Sequence, residues 1–287
     1  GESVRSLTVV DTVIARSRGY GLSFVGRAGF GPGSEELVVR NGGRDAAAFP
    51  VRVPIGEAAT LPTLRLEGNV RNEVELLQPV AGFAADTVPA RGAPYVLAGR
   101  LRVAPAADGP PSTLTIEPGV TMRMATVAAD SGIQLGTSAQ RQGVLVAAGT
   151  AAAPIVFTSA ASVPAAASWK NIYFAHSPAS GNRLEHAVVE YAGAPSGAQG
   201  YGCGDAENDA SVLILSGRPA DAFIRNTTFR SGGGDTGIVL GWESDLDGPD
   251  FVSTNTFTDM PACRVSRWAS VTGPRFPGST AGSPVCL

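Results

Sequence analysis

Lysine is almost missing from this sequence. Lys170 is the only one among 287 residues, and Asp, Glu, Lys and Arg together make up 16% of the chain, well under the usual quarter. The net charge is −3 and the 22 cations are scattered, so no basic cluster of the kind that holds nucleic acid or an anionic membrane surface is present. Long apolar runs are missing too: nothing approaches the roughly 18 residues that would span a bilayer as a helix. No signal-peptide pattern opens the chain, so an export signal is expected only as a segment already removed ahead of residue 1. Histidine is limited to His176 and His186, and neither has a second His or Cys close in sequence, as a zinc site needs. Gly-x-Ser-x-Gly does not occur, which removes the nucleophile-elbow hydrolases. Helical periodicity is absent throughout. No catalytic residue is assigned, and the expectation is a protein that is not an enzyme.

Short β-favouring runs follow one another instead. Thr113-Leu-Thr-Ile116, Val120-Thr-Met-Arg-Met124, Gly132-Ile-Gln-Leu135, Gly143-Val-Leu-Val146, Ile155-Val-Phe-Thr158, Asn171-Ile-Tyr-Phe174 and Leu184-Glu-His-Ala-Val-Val-Glu-Tyr191 are separated mostly by Gly, Pro, Ala and Ser. They mostly alternate apolar with small or polar residues, the period of a strand. The two-residue turns that antiparallel hairpins favour are rare, with Asn41-Gly42, Asp108-Gly109 and Asp247-Gly248 the only Asn-Gly or Asp-Gly pairs. Strands that bend and continue in one sense stack in parallel on the coil before, which makes a β-solenoid.

Leu114-Thr-Ile-Glu-Pro-Gly-Val-Thr-Met122, Gly143-Val-Leu-Val-Ala-Ala-Gly-Thr150, Ala153-Pro-Ile-Val-Phe-Thr-Ser159, Trp169-Lys-Asn-Ile-Tyr-Phe174 and Leu184-Glu-His-Ala-Val-Val-Glu-Tyr-Ala-Gly193 together resemble the right-handed parallel β-helix, or pectin-lyase-like, region of large secreted and surface proteins of bacteria. The resemblance covers about residues 94 to 260 and extends more loosely over the first ninety. It implies an all-β fold, a right-handed parallel β-helix, and a secreted or cell-surface location. It implies little about activity, because polysaccharide lyases, adhesins and structural rods share the architecture. At roughly 25 residues per coil and about 4.8 Å per rung, the chain would make on the order of 11 coils. One domain, 1–287, is expected: irregular coils with loop inserts over 1–93, regular coils over 94–260, and an extended, loop-rich C-terminal cap over 261–287. Loops are expected at 42–49, 56–62, 80–93 and 194–210.

Repetition along the chain points to corners. Asp11, His186 and Asn226 each precede an apolar residue by three positions, with a glycine bend and another strand following. They are expected to be corner residues whose side chains satisfy backbone groups.

The candidate site residues are few. Cys203, Cys263 and Cys286 match no metal spacing and lie in loop-rich surroundings, so one disulfide is expected, with Cys263 its most favoured member and either other cysteine as partner. Asp245, Asp247 and Asp250 could offer oxygens to calcium, the one candidate cofactor, although a solvated turn is the default for such a stretch. Asp205, Glu207 and Asp209 form a weaker acidic group. Trp169, Trp242 and Trp268 are candidates for stacking on sugar rings, against the alternative of plain packing. Leu7, Val9, Val10, Val13 and Ile14 lie on the first rung, whose open edge needs a cover.

These readings favour a non-catalytic extracellular β-helix, structural or adhesive, that associates end to end with other copies. The alternatives are a polysaccharide lyase, hydrolase or binding protein, recognisable by two or three carboxylates and an Arg close together on one strand face, and a stalk fragment of a larger surface protein. A homo-oligomer and polysaccharide are the expected partners.

Overall fold

Alternation of the kind found in Ser112–Ile116, whose Ser112, Leu114 and Ile116 are buried and whose threonines are half-buried, builds most of the strands. The structure, a computed structural model, describes residues 6–45, 47–79, 82–176, 178–196, 209–215, 217–234, 236–241, 249–260, 263–267 and 285–286. Among these residues the strands form parallel ladders, each rung lying on the rung one coil earlier. The single antiparallel strand pair among the described residues joins Val285–Cys286 to Cys263–Arg267. The chain is therefore a parallel β-helix.

The longest sheet has nine strands, from Leu22–Ser23 through Val51–Pro54, Val74–Leu77, Tyr95–Leu97, Thr121–Met124, Ile155–Ser159, Ala187–Glu190 and Thr228–Arg230 to Thr256–Thr258. Its inward side carries one continuous column, Val51, Val74, Tyr95, Met122, Phe157, Val189, Phe229 and Phe257, each in register with the next. Phe229 and Phe257 stack with centroids 5.1 Å apart. A seven-stranded sheet from Arg100–Val103 to Val285–Cys286 supplies a facing column of Leu101, Ile133, Ile172, Val212, Ile238 and Val265. A five-stranded sheet, Ala85–Val88 to Ile224–Arg225, closes the third side. At Ala210–Leu215 and Thr236–Gly241 the seven-stranded sheet is packed on both sides, since Leu213, Leu215 and Val239 form a second apolar cluster outside the main core.

Corners are made by single residues in the left-handed region. Asp11, His186 and Asn226 have φ of 43°, 45° and 49°, and Tyr191, Ser231 and Asp259 repeat the device on three successive coils of the long sheet. The Leu184–Tyr191 run, one strand by periodicity, is thus broken at His186 into Arg183–Glu185 and Ala187–Glu190. The backbone groups beside such corners are held by asparagines elsewhere. Asn69 takes the Gly42 N–H at 2.9 Å and donates to the Val39 carbonyl at 2.8 Å. Asn255 takes the Thr227 N–H at 3.0 Å and donates to Ile224 and Phe251. Asp11, His186 and Asn226 contribute their backbone conformation, and beside Asn226 the expected capping is carried out by Asn255 of the next coil.

The order of faces changes part-way along. In the first coils, a three-stranded sheet of Thr12–Ala15, Glu36–Arg40 and Thr63–Glu67 precedes the long sheet. The face after it holds Gly29–Phe30, paired with Ser6–Leu7, and on the next coil the 3-10 helix Ile55–Thr60, which packs between Gly29–Phe30 and Ala85–Val88. The three-stranded sheet ends at Thr63–Glu67 and the seven-stranded sheet begins only at Arg100–Val103. Pro79, Pro89 and Pro94 mark the crossing, where the missing N–H groups release the chain from one ladder before it joins the next. Tyr95 sits there fully buried and donates its hydroxyl to the Pro89 carbonyl at 2.6 Å; burial pushes that phenol well above its usual pKa.

Three expectations need correction. Stretch 56–62 is largely helical, and Val127–Ala129 is a second 3-10 turn; both are too short to leave a helical period. Part of 80–93 is the strand Ala85–Val88. Within 261–287, Cys263–Arg267 continues the seven-stranded ladder and Val285–Cys286 adds to it, so part of the tail is sheet.

Candidate functional site at the change of faces

Where a helix replaces a strand, the wall of the coil opens. A cavity of about 480 Å³ lies there, lined by Glu57 from Ile55–Thr60, Asp86 from Ala85–Val88, and Arg27, Gly56, Gly82 and Phe83. Asp86 is in register with Leu114, which is fully buried, so its carboxylate occupies a core-facing position of the ladder. A core-facing acid is tolerated because the preceding coil has no strand there to cover it. That carboxylate lies against the helix backbone at Gly56, and Gly82 passes so close to Ala106 that any Cβ would collide with its backbone.

Both carboxyls are held above their usual range. Burial does this for Asp86. For Glu57 burial acts first and the Asp86 charge adds to it, with Arg27 opposing. Two carboxyls raised above their usual range and facing one cavity keep their protons to higher pH than free carboxyls do. Sequence reading missed the pair because Glu57 and Asp86 fall in stretches read as loops. The available signal was an acid in the apolar phase of Ala85-Asp-Thr-Val88.

A second set of charges lines the outer side of the long sheet. Arg52 Nε lies 3.3 Å from Glu75 Oε2, and its guanidinium sits 5.0 Å from the Tyr20 ring centroid. Burial, reinforced by the Glu75 charge, raises the Tyr20 phenol. Arg123 bonds Glu73, and Arg71 covers Phe49 at 4.4 Å while reaching Glu73 at 3.9 Å. Further along, Glu190 accepts from Thr158 Oγ1 at 2.7 Å and from Arg230 Nε at 2.6 Å. Glu73, Glu75 and Glu190 are all buried. Carboxylates and arginines do meet on one strand face, but each carboxylate is engaged by a cation. Among the described residues no three His, Cys, Asp or Glu side chains stand close enough together to hold a metal ion.

The residues singled out from the sequence fare unevenly. Trp169 is fully buried and donates Nε1–H to the Glu190 carbonyl at 2.9 Å, so it packs the core and cannot stack on a sugar. The aromatic signal was right for burial and wrong for ligand contact, because the residue lies on the inner side of the coil. Trp242 and Trp268 lie outside the described residues. Asp250 is a turn cap: Oδ1 accepts from the N–H groups of Val252 and Ser253, and Oδ2 accepts from the Ser253 hydroxyl. The Ser253 hydroxyl bond, together with those from the backbone, lowers its pKa. Asp245 and Asp247 lie outside the described residues, as do Asp205 and Glu207. Asp209 accepts the Ser196 N–H at 2.8 Å. Cys263 is buried at the head of Cys263–Arg267 and is not without a partner. Cys203 and the side chain of Cys286 are outside the description. On the first rung, Leu7 is 42% exposed and Val10 and Val13 are each 53% exposed. Val9 is buried and Ile14 packs partly against the core, so Val9 is not part of the open edge.

Residues 83–215 match the pectate-lyase-like β-helix domain. The matched stretch begins at Phe83, next to the change of faces, and covers the first coils built from the long, seven-stranded and five-stranded sheets. No curated protein and no solved structure matches the chain. A pectate-lyase-like β-helix is compatible with an enzyme or with a non-enzyme, so function must be argued from sites. No helix among the described residues is long and apolar enough to cross a membrane.

Proposed function

We propose that the chain is a non-catalytic extracellular β-helix, structural or adhesive, that associates end to end with further copies through its first coil. The observation that carries this reading is the open edge at Ser6–Leu7, Thr12–Ala15 and Leu22–Ser23. Among the described residues each of these strands is the terminal strand of its sheet, and Leu7, Val10 and Val13 stand exposed beside them. Unpaired backbone next to exposed aliphatic side chains is a template for another parallel rung. The engaged carboxylates of the long sheet support a structural role for that face. Export is expected to leave Cys263 in a disulfide with Cys203 or Cys286.

Sedimentation of the purified chain over a micromolar range tests the association. Self-association that is lost in a Val10→Lys/Val13→Lys variant, with an unchanged circular dichroism spectrum, is the expected result. A chain that stays monomeric at every concentration would overturn the reading and leave the edge to a preceding stretch of a larger surface protein.

A polysaccharide-degrading or polysaccharide-binding role is the second reading, favoured by the Glu57–Asp86 pair. Release of unsaturated sugars or new reducing ends from acidic polysaccharides, abolished by Asp86→Asn, would put it first.

A further inference from the structure

Beside the acidic cavity, and on the other side of Pro79 and Gly82, lies a groove of the opposite sign. Its volume is about 360 Å³, and Gln78, Arg100, Arg102, Thr137 and Arg141 line it. Arg100 and Arg102 are two apart on Arg100–Val103, so both leave the outer side of the sheet while Leu101 and Val103 enter the core. Arg141 arrives from the next coil, on a turn closed by the Thr137 N–H bonding the Arg141 carbonyl at 3.0 Å.

The countercharge is short. Arg141 Nε pairs with Asp108 at 2.8 Å, and Arg100 pairs with Asp130 at 3.0 Å, but Asp130 is shared with Lys170 at 2.6 Å. Burial works against ionisation of Asp130, and the Lys170 and Arg100 contacts outweigh it, holding the carboxyl below its usual range. Arg102 has no carboxylate partner among the described residues. Four cations, Arg100, Arg102, Arg141 and Lys170, thus face two carboxylates, Asp108 and Asp130, which leaves 4 − 2 = +2. Two donors at the same place, Gln78 Nε2 and Arg100 Nε, are buried with no acceptor among the described residues.

Arg100–Val103 is the terminal strand of its sheet, and arginines there also discourage pairing with another chain. Edge protection needs charge in solvent; it does not account for buried donors that lack acceptors, which native structures rarely leave. We propose that this groove binds a tetrahedral oxyanion, the phosphate or sulfate group of a small ligand. A phosphate monoester carries about −1.5 to −2 at neutral pH, which matches the uncompensated charge better than a single carboxylate does, and its several oxygens suit converging guanidinium donors.

Titration calorimetry with inorganic phosphate in low-chloride buffer tests the assignment, with sulfate as competitor and glucuronate as the carboxylate control. The expected result is saturable one-site binding that sulfate displaces, weakened about tenfold by Arg102→Gln and unchanged by Arg40→Gln on a distant exposed strand end. Arg102 is exposed, so its variant is expected to keep the wild-type circular dichroism spectrum and melting curve. Absence of saturable phosphate binding, equal affinity in the Arg102 variant, or glucuronate binding as tight as phosphate would each overturn the proposal.

Discussion

In the coils before Pro79, the strand Thr12–Ala15 shows half-buried and exposed side chains in alternation, whereas after Phe83 the strand Ser112–Ile116 puts alternate side chains fully inside. The residue patterns differ little; the neighbours do. Among the described residues Thr12–Ala15 is covered on one side only, by Glu36–Arg40, while Ser112–Ile116 lies between Ala85–Val88 and Gly143–Ala148. Burial in a parallel coil is therefore a property of place in the stack. The same period-two pattern yields a core in one region and an exposed apolar edge in the other.

Deleting a ring from the long inward column should have the largest effect and would break this comparison if it did not. Phe229→Ala removes a fully buried side chain that stacks on Phe257 and is expected to cost about 3–5 kcal/mol in urea unfolding. Ile14→Ala on the first coil, only partly buried, should cost about 1 kcal/mol. Similar costs at both positions would mean that the first coil is as well packed in solution as the later ones.

Charge pairs give the next largest contrast. Glu190→Ala takes a buried carboxylate from the Thr158 hydroxyl and from Arg230, whose side chain is half exposed, and should cost about 1–2 kcal/mol. Glu67→Ala, whose partner Arg65 is well exposed, should cost under about 1 kcal/mol. Thermal denaturation of the two variants side by side separates them.

The smallest effect sharpens the picture of the crossing itself. Because Asp86 has a raised pKa in the folded chain, the folded state holds its proton more tightly than the unfolded one. Wild-type stability must then fall as pH rises through that raised pKa, and the penalty is absent below the unfolded-state value. Asp86→Asn should accordingly melt a few degrees higher than wild type at pH 7, and the gain should vanish near pH 3. An equal gain at both pH values would remove burial of the charge as its cause.

Much of the architecture was legible in the residues. Runs such as Ser112–Ile116 announced strands by alternation, and the shortage of Asn-Gly and Asp-Gly pairs pointed away from hairpins. Corners were half legible: Asp11, His186 and Asn226 were identified by repetition, but the asparagines that hold neighbouring backbone groups, Asn69 and Asn255, lie on other coils. Trp169 could not be assigned to the inner or outer side from its neighbours, since Ser168-Trp-Lys-Asn171 carries no clear alternation. The Glu57–Asp86 cavity was illegible because its two acids come from different coils, one of them on a six-residue helix with no period to detect.

Local chemistry alone settled that this chain is made of short strands turned at glycine, proline and left-handed corners, because backbone preference and side-chain alternation act within a few residues. Only the stacking of coils decided which charges meet. Arg102 and Arg141 are 39 positions apart and Glu57 and Asp86 are 29 apart, yet the groove brings the first pair together and the cavity the second. A solenoid places residues one coil apart within a rung spacing of about 4.8 Å, and the coil length that sets those partners varies with every loop between them.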